Sequence, residues 1–344
     1  MAFKKGLING HFGVSQDVIY ALSLFNLTYT QIVDPRRFAP YGHSKKYADY
    51  LNNVERLGDY FCDNFETVIV GDTIPDSRFL LQRLDEETYR GKCHIKKLIL
   101  FTTARFDYGL NIKDDTEDYY KLLKNLMLNE NTSNRIFWFA NNPWEIKYAK
   151  IKLDSDILNF RLVRSFGVSN FKLRNITKED SEMPVLISYP NTREFEFLLK
   201  KNFDFKLLSK NAYGGGVNLA QYKCLIQIPY QVSTMKMYEN LRAGVITIIP
   251  SKRYLKFLMN VPSYELSAVK DSFEKEGQSF DYIDYYSKEL NNFFYEFDTL
   301  EELKAMVSKS KEELDYKNVR LNGPLYWKIV NLESERSWKN VLFS

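Results

Sequence analysis

Short unbroken apolar runs alternate along the chain with longer segments whose apolar residues recur at helical spacing. In the first half the runs GLIN (6–9), YTQIV (29–33), TVIVGD (67–72), KKLILFTT (96–103), RIFWFA (135–140) and FRLVRSF (160–166) predict strands. Runs this continuous leave no polar face, so they predict a parallel sheet covered on both sides. Segments 15–25, 45–62, 77–84 and 115–128 predict helices between the strands. Ser15 is the expected N-cap of the first, and the acids of DTED open the last.

Residues 170–183 are polar and without a period, which predicts a linker. The alternation then restarts. PVLISYP (184–190), FKLLS (205–209), YKCLIQIPY (222–230), VITIIPS (245–251) and FFYEF (293–297) predict strands. Segments 192–202, 233–244 and 299–314 predict helices, and a last helix follows Gly323-Pro324. The expected class is α/β, with two successive Rossmann-like domains, 1–170 and 171–324, each with a six-strand pattern. A cleft between two such domains is the expected site.

Composition narrows the function classes. The 344 residues suit two domains, and 44 % apolar content is enough to give each a core. A net charge of +4 and the absence of a basic stripe argue against a nucleic-acid partner. Three widely spaced cysteines, Cys62, Cys93 and Cys224, argue against a disulfide framework and for a reducing compartment. The three histidines, His11, His43 and His94, lack metal-ligand spacing. No apolar run approaches ~18 residues, so no transmembrane segment is expected. The reading is a cytoplasmic protein.

The stretch 229–251, PYQVSTMKMYENLRAGVITIIPS, concentrates the chemistry. A strand ending at Tyr230 opens a loop, and Ser233 or Thr234 can cap the helix that follows. The free N–H groups and positive dipole end of such a helix suit a phosphate. Glu239, one and a half turns further, is placed to reach the two hydroxyls of a ribose. Arg242 and Gly244 close the helix, and VITII returns as a buried strand.

In this order the stretch resembles the donor-site region of the GT-B glycosyltransferases. The resemblance implies that Glu239 binds the nucleotide ribose, with Ala243-Gly244 as the small pair behind it. It implies a phosphate-binding loop at Ser233, Thr234 and Met235. Gly214, Gly215 and Gly216 of the YGGG loop, Asn191 and Arg193 of the loop after the 184–190 strand, and Tyr230 and Gln231 complete the expected donor set. It further implies a C-terminal helix, 325–344, crossing back to the first domain. Many retaining members carry a second Glu eight positions before the ribose Glu; here that position is Gln231. Stereochemistry therefore stays open, with inversion favoured.

Inversion needs a base to take the acceptor proton. His11, in NGHFG after the first strand, and Asp72, in VIVGDTIPD after the third, are the candidates for catalysis. Gly13, and Arg105 and Asp107 of TTARFDYG, are candidates for acceptor or phosphate contacts. Asp154-Ser155-Asp156 is a literal D-x-D, but it lacks a preceding apolar strand and reads as a turn or cap. The expected activity is metal-independent transfer from a UDP- or GDP-linked sugar to a glycan or other hydroxyl acceptor, with no cofactor. Two alternatives are a sugar- or nucleotide-binding protein without catalysis, and a Rossmann oxidoreductase. The latter lacks its G-x-G-x-x-G, since NGHFGVS supplies only Gly10 and Gly13.

Overall fold

The computed structural model describes residues 4–9, 12–33, 54–87, 91–103, 105–107, 110, 113–155, 159–168, 171–188, 193–209, 213–261 and 280–344. The chain divides into two compact units, Met1–Arg164 with Glu333–Ser344, and Ser165–Leu332. The division precedes the polar stretch 170–183, because Phe166 and Gly167 already bond within the second unit. There the Phe166 carbonyl accepts from Arg242 Nη1 (3.1 Å), Trp327 Nε1 (3.2 Å) and Asn331 Nδ2 (3.4 Å).

Among the described residues unit 1 has six strands: β1 (Lys4–Asn9), β2 (Thr30–Val33), β3 (Phe65–Gly71), β4 (Lys97–Thr102), β5 (Ile136–Ala140) and β6 (Phe160–Leu162). They form one parallel sheet in the order β2-β1-β3-β4-β5-β6. Val68, Ile69 and Val70 are buried in succession, as are Leu98, Ile99, Leu100 and Phe101. Successive strand residues point to opposite faces, so both faces are covered. The unit's longer described helices are α1 (Phe12–Leu24), α2 (Asp59–Asn64), α3 (Arg78–Asp85), α4 (Lys113–Leu128) and α5 (Pro143–Lys152).

Three expectations for this unit change. The first helix begins at Phe12, so Ser15 is a buried first-turn residue rather than its cap. The helix expected over 45–62 is represented by a π-helical turn, Val54–Gly58, and α2, while 45–53 lies outside the described residues. Cys62 and Cys93 form a disulfide, and Cys224 is free and buried. Sparse spacing hid a pair that α2 and the entry to β4 bring together, so the cysteines do not point to a reducing compartment.

Among the described residues unit 2 has five strands, where six were expected: β7 (Pro184–Ser188), β8 (Lys206–Ser209), β9 (Cys224–Ile226), β10 (Thr247–Pro250) and β11 (Phe294–Phe297). All pairs are parallel, in the order β11-β10-β9-β7-β8. β9 takes up only three residues of the apolar run 222–230, with the Gln227 N–H still donating to the Ile248 carbonyl at 2.9 Å just beyond it. The unit's longer described helices, before the last one, are α6 (Arg193–Lys200), α7 (Gly215–Leu219), α8 (Met235–Ala243), α9 (Lys252–Met259) and α10 (Leu300–Val307).

The last helix, α11 (Val319–Phe343), starts before Gly323-Pro324 and carries the proline inside. Pro324 cannot bond the Arg320 carbonyl four residues back. That carbonyl instead lies against Gly244, whose added Cβ would sit 2.7 Å from it. Through Leu332 the helix belongs to unit 2, and from Glu333 to unit 1. In unit 1, Trp338 packs edge-on against Phe101 (5.8 Å) and Phe139 (5.0 Å). Ser334 Oγ donates to the Arg164 carbonyl at 2.8 Å, and Lys97 Nζ to the Leu342 carbonyl at 3.1 Å.

Both sheets reverse strand order in the same place. The first strand of each unit lies between the second and the third, so the reversal falls at β1/β3 and at β7/β9. In open parallel sheets, the crevice beyond the carboxyl ends of such strands is where ligands bind.

Candidate functional site

In unit 2 the reversal point is served by the chain leaving β9, which becomes α8. Thr234 caps this helix, its Oγ1 accepting from the Met237 N–H at 3.2 Å. The loop before it is tied to a short helical turn at Asp284–Tyr286. The Tyr238 hydroxyl donates to Asp284 Oδ2 (2.7 Å) and lies 2.5 Å from Ser233 Oγ. Thr234 Oγ1 is 3.1 Å from the Tyr285 hydroxyl, and the Asp284 N–H donates to the Val232 carbonyl at 3.0 Å. Ser233 and Thr234 are buried, so their hydroxyls order the loop from inside. Met235 is half-buried at the first position of α8.

Glu239 lies on α8 one turn beyond Lys236, a spacing that puts both on one face. The Tyr213 hydroxyl hydrogen-bonds Glu239, and burial, Glu239 and Tyr230 push it up. Lys236 is 6 % exposed. Burial pulls its amine down to about 7, against the pull of Glu239 in the other direction.

The glycine-rich loop brings Tyr213 to this face. Gly214 and Gly215 take φ of +81° and +75°, which side chains resist. Gly216 lets α7 touch α8: an added Cβ would lie 2.5 Å from the Glu239 carbonyl oxygen. The structure thus brings Gly214, Gly215, Gly216, Tyr230 and Glu239 to one place. Gln231 is exposed in the loop. Asn191 and the Arg193 side chain lie outside the described residues. Lys236 escaped the sequence reading, because a lysine in a helix reads as solvated.

In unit 1 the carboxyl ends of β3, β4 and β5 carry the polar groups. Asp72 follows β3 with φ +68°, a region a non-glycine residue rarely takes. Its N–H donates to the Phe101 carbonyl (3.0 Å), and its Oδ1 accepts from Thr103 Oγ1 (2.7 Å). Asp107 Oδ2 accepts from the Tyr148 hydroxyl at 2.8 Å and from the Tyr120 hydroxyl. Asp107 Oδ1 is 4.0 Å from Arg105 Nε. Gly13 is half-buried in the first turn of α1, and His11 lies outside the described residues.

The sequence reading missed Glu145. Asn142 caps α5 by accepting from the Glu145 N–H at 3.1 Å, and Glu145 is 5 % exposed. Burial first, then Asp107 and Asp72, push its carboxyl up to about 8, outweighing Arg105 and the Asn142 hydrogen bond. The positive end of α5 favours the charged form but is too weak to prevail. The signal was the run NPWE after a strand, an Asn cap with Glu three residues on, which reads as ordinary capping.

The folded state therefore holds a proton on Glu145 that the unfolded chain releases near its ordinary 4.5. Stability from this group is present below pH 4.5 and is lost as pH rises through about 8. Glu145→Gln is expected to melt higher than the wild type at pH 8.5, with the gap shrinking at pH 5. Thermal melts at the two pH values check this; a gap equal at both would show that Glu145 ionises freely in the fold.

Asp154 is exposed with φ +46° at the end of α5, and Asp156 lies outside the described residues. Among the described residues no group of three or more His, Cys, Asp or Glu is placed to hold a metal ion. No helix among them is long and apolar enough to cross a membrane.

No protein-family model matches the chain, and no curated protein matches it. Among solved structures it is similar to the glycosyltransferase SnogD from Streptomyces nogalater. The identity is 8 %, the TM-score 0.40, and the match covers 99 % of each chain.

Proposed function

We propose that the chain is a glycosyltransferase that takes a nucleotide-activated sugar at the β7/β9 reversal of unit 2. The observation that carries the reading is Glu239, held by Tyr213 on a face of α8 shared with Lys236, just beyond the capped start of that helix. The start of α8 suits a diphosphate, and a diphosphate would restore the charge of Lys236. Glu239 then meets the ribose hydroxyls. The resemblance in 229–251 supplies the reaction: a UDP- or GDP-linked sugar passes to a hydroxyl of a glycan or other acceptor, without metal and with inversion favoured. His11 and Asp72 stay the base candidates, and Arg105 and Asp107 the acceptor contacts. Gln231, where many retaining enzymes carry Glu, favours as second reading a binding protein without turnover.

Glu239→Ala is expected to weaken nucleoside diphosphate binding by ~1–3 kcal/mol, the scale of a lost charged hydrogen bond. Calorimetric titration of UDP and GDP checks it. Unchanged affinity for both would remove Glu239 from the ribose.

A further inference from the structure

The three residues of the turn Asp284–Tyr286 are all buried, at 0 %, 1 % and 1 % exposure. Their side chains go to different partners. The Tyr286 hydroxyl donates to the Pro250 carbonyl at the end of β10 (2.6 Å), which fixes the turn to the sheet. The Tyr285 hydroxyl is 3.1 Å from Thr234 Oγ1. Asp284 accepts from the Tyr238 hydroxyl on Oδ2 (2.7 Å), and its N–H donates to the Val232 carbonyl (3.0 Å). The turn thus ties the loop before α8 to the sheet at Val232, Thr234 and, through Tyr238, Ser233.

A carboxyl group wholly out of water costs stability unless hydrogen bonds hold it, and an apolar residue would fill the same turn without that cost. What the carboxylate supplies is direction, because it only accepts. A phenol has one hydrogen, and Tyr238 gives it to Asp284. The 2.5 Å contact between the Tyr238 and Ser233 hydroxyls therefore takes its hydrogen from Ser233. The chain runs one way, from Ser233 through Tyr238 to Asp284. Ser233 has no hydrogen left to give a ligand, so an anion at this loop meets the main-chain N–H groups at the start of α8. Their placement depends on the stretch 232–234 that the turn holds.

We propose that Asp284 is a positioning residue of the donor site: through Tyr238 and Ser233 it sets the main chain on which the diphosphate of the nucleotide rests. The inference rests on the transferase reading of unit 2. It adds that Ser233 serves the site from behind and not by touching the ligand. No covalent bond forms or breaks.

The test titrates UDP and GDP into the full chain by calorimetry and scores folded molecules only. Asp284→Asn keeps the shape and removes the charge that orients the chain; Ser233→Ala removes the last link. Each is expected to raise Kd about tenfold, the scale of one hydrogen bond to a charged group. The double variant is expected to lose no more than either alone, because both cut one chain. Leu303 is fully buried in α10 and off the chain, so Leu303→Ala is the control for lost stability and should bind as the wild type does. Wild-type affinity in Asp284→Asn, losses that multiply to about a hundredfold in the double variant, or an equal loss in Leu303→Ala would overturn the proposal. Should Asp284→Asn not fold, Tyr238→Phe takes its place with the same expectations. A wild type that binds neither nucleotide overturns the transferase reading and the inference with it, whereas binding that Asp284→Asn leaves unchanged overturns the inference alone.

Discussion

Gly216→Val is expected to destabilise unit 2 by about 3 kcal/mol, at the upper end of overpacking costs. A Cβ at this position would lie 2.5 Å from the Glu239 carbonyl oxygen, 2.8 Å from its carbon and 3.2 Å from the Ala243 Cβ. The first two are backbone atoms of α8, so no side-chain rotation relieves the collision. Moving α7 from α8 separates Tyr213 from Glu239, and nucleotide affinity should fall with stability. Val217→Ala is the control, because that side chain is exposed on the same short helix. Urea unfolding followed by circular dichroism measures both. A Gly216→Val protein as stable as the control would mean that α7 does not rest on α8.

Trp327→Ala is expected to cost about 3–5 kcal/mol, the range for removing a buried tryptophan. Trp327 is fully buried and stacks on Tyr238 at 5.0 Å between ring centres. Tyr238 in turn holds Asp284 and Ser233, so the loop before α8 loses its anchor along with the core. Trp327→Phe should cost far less. It keeps most of the apolar contact, and the Phe166 carbonyl that loses the indole N–H still accepts from Arg242 and Asn331. Urea unfolding orders the three proteins, with nucleotide titration of the folded fraction as second readout. Equal losses for Ala and Phe would place the cost in the hydrogen bond rather than in packing.

The strands of both units were legible because parallel strands covered on both faces must be continuously apolar, as KLILFT and TVIVG are. Thr234 as cap and Gly244 as stop of α8 were legible for local reasons: a side-chain acceptor for a free N–H, and a left-handed residue at the end. The start of α11 was hidden by its cap: the Asp315 carboxylate, four residues before Val319, accepts from the Val319 N–H at 2.6 Å and from the Arg320 N–H at 3.3 Å, a spacing that does not read as an N-cap. What else escaped depends on distant contacts. The Cys62–Cys93 bond needs the paths of α2 and the entry to β4, which spacing does not encode. The place of Glu239 on α8 was legible from the ordered stretch it sits in. Lys236 and Glu145 were not: burial pulls Lys236 down, and burial together with Asp107 and Asp72, which follow other strands, pushes Glu145 up.

The central claim is that the β7/β9 end of unit 2 binds a nucleoside diphosphate. Calorimetric titration of the wild-type chain with UDP, GDP and dTDP, each with and without EDTA and with NAD beside them, tests it most directly. The account predicts saturable binding of a nucleoside diphosphate that EDTA leaves unchanged. Binding of NAD alone, or no nucleoside diphosphate binding at all, would contradict it.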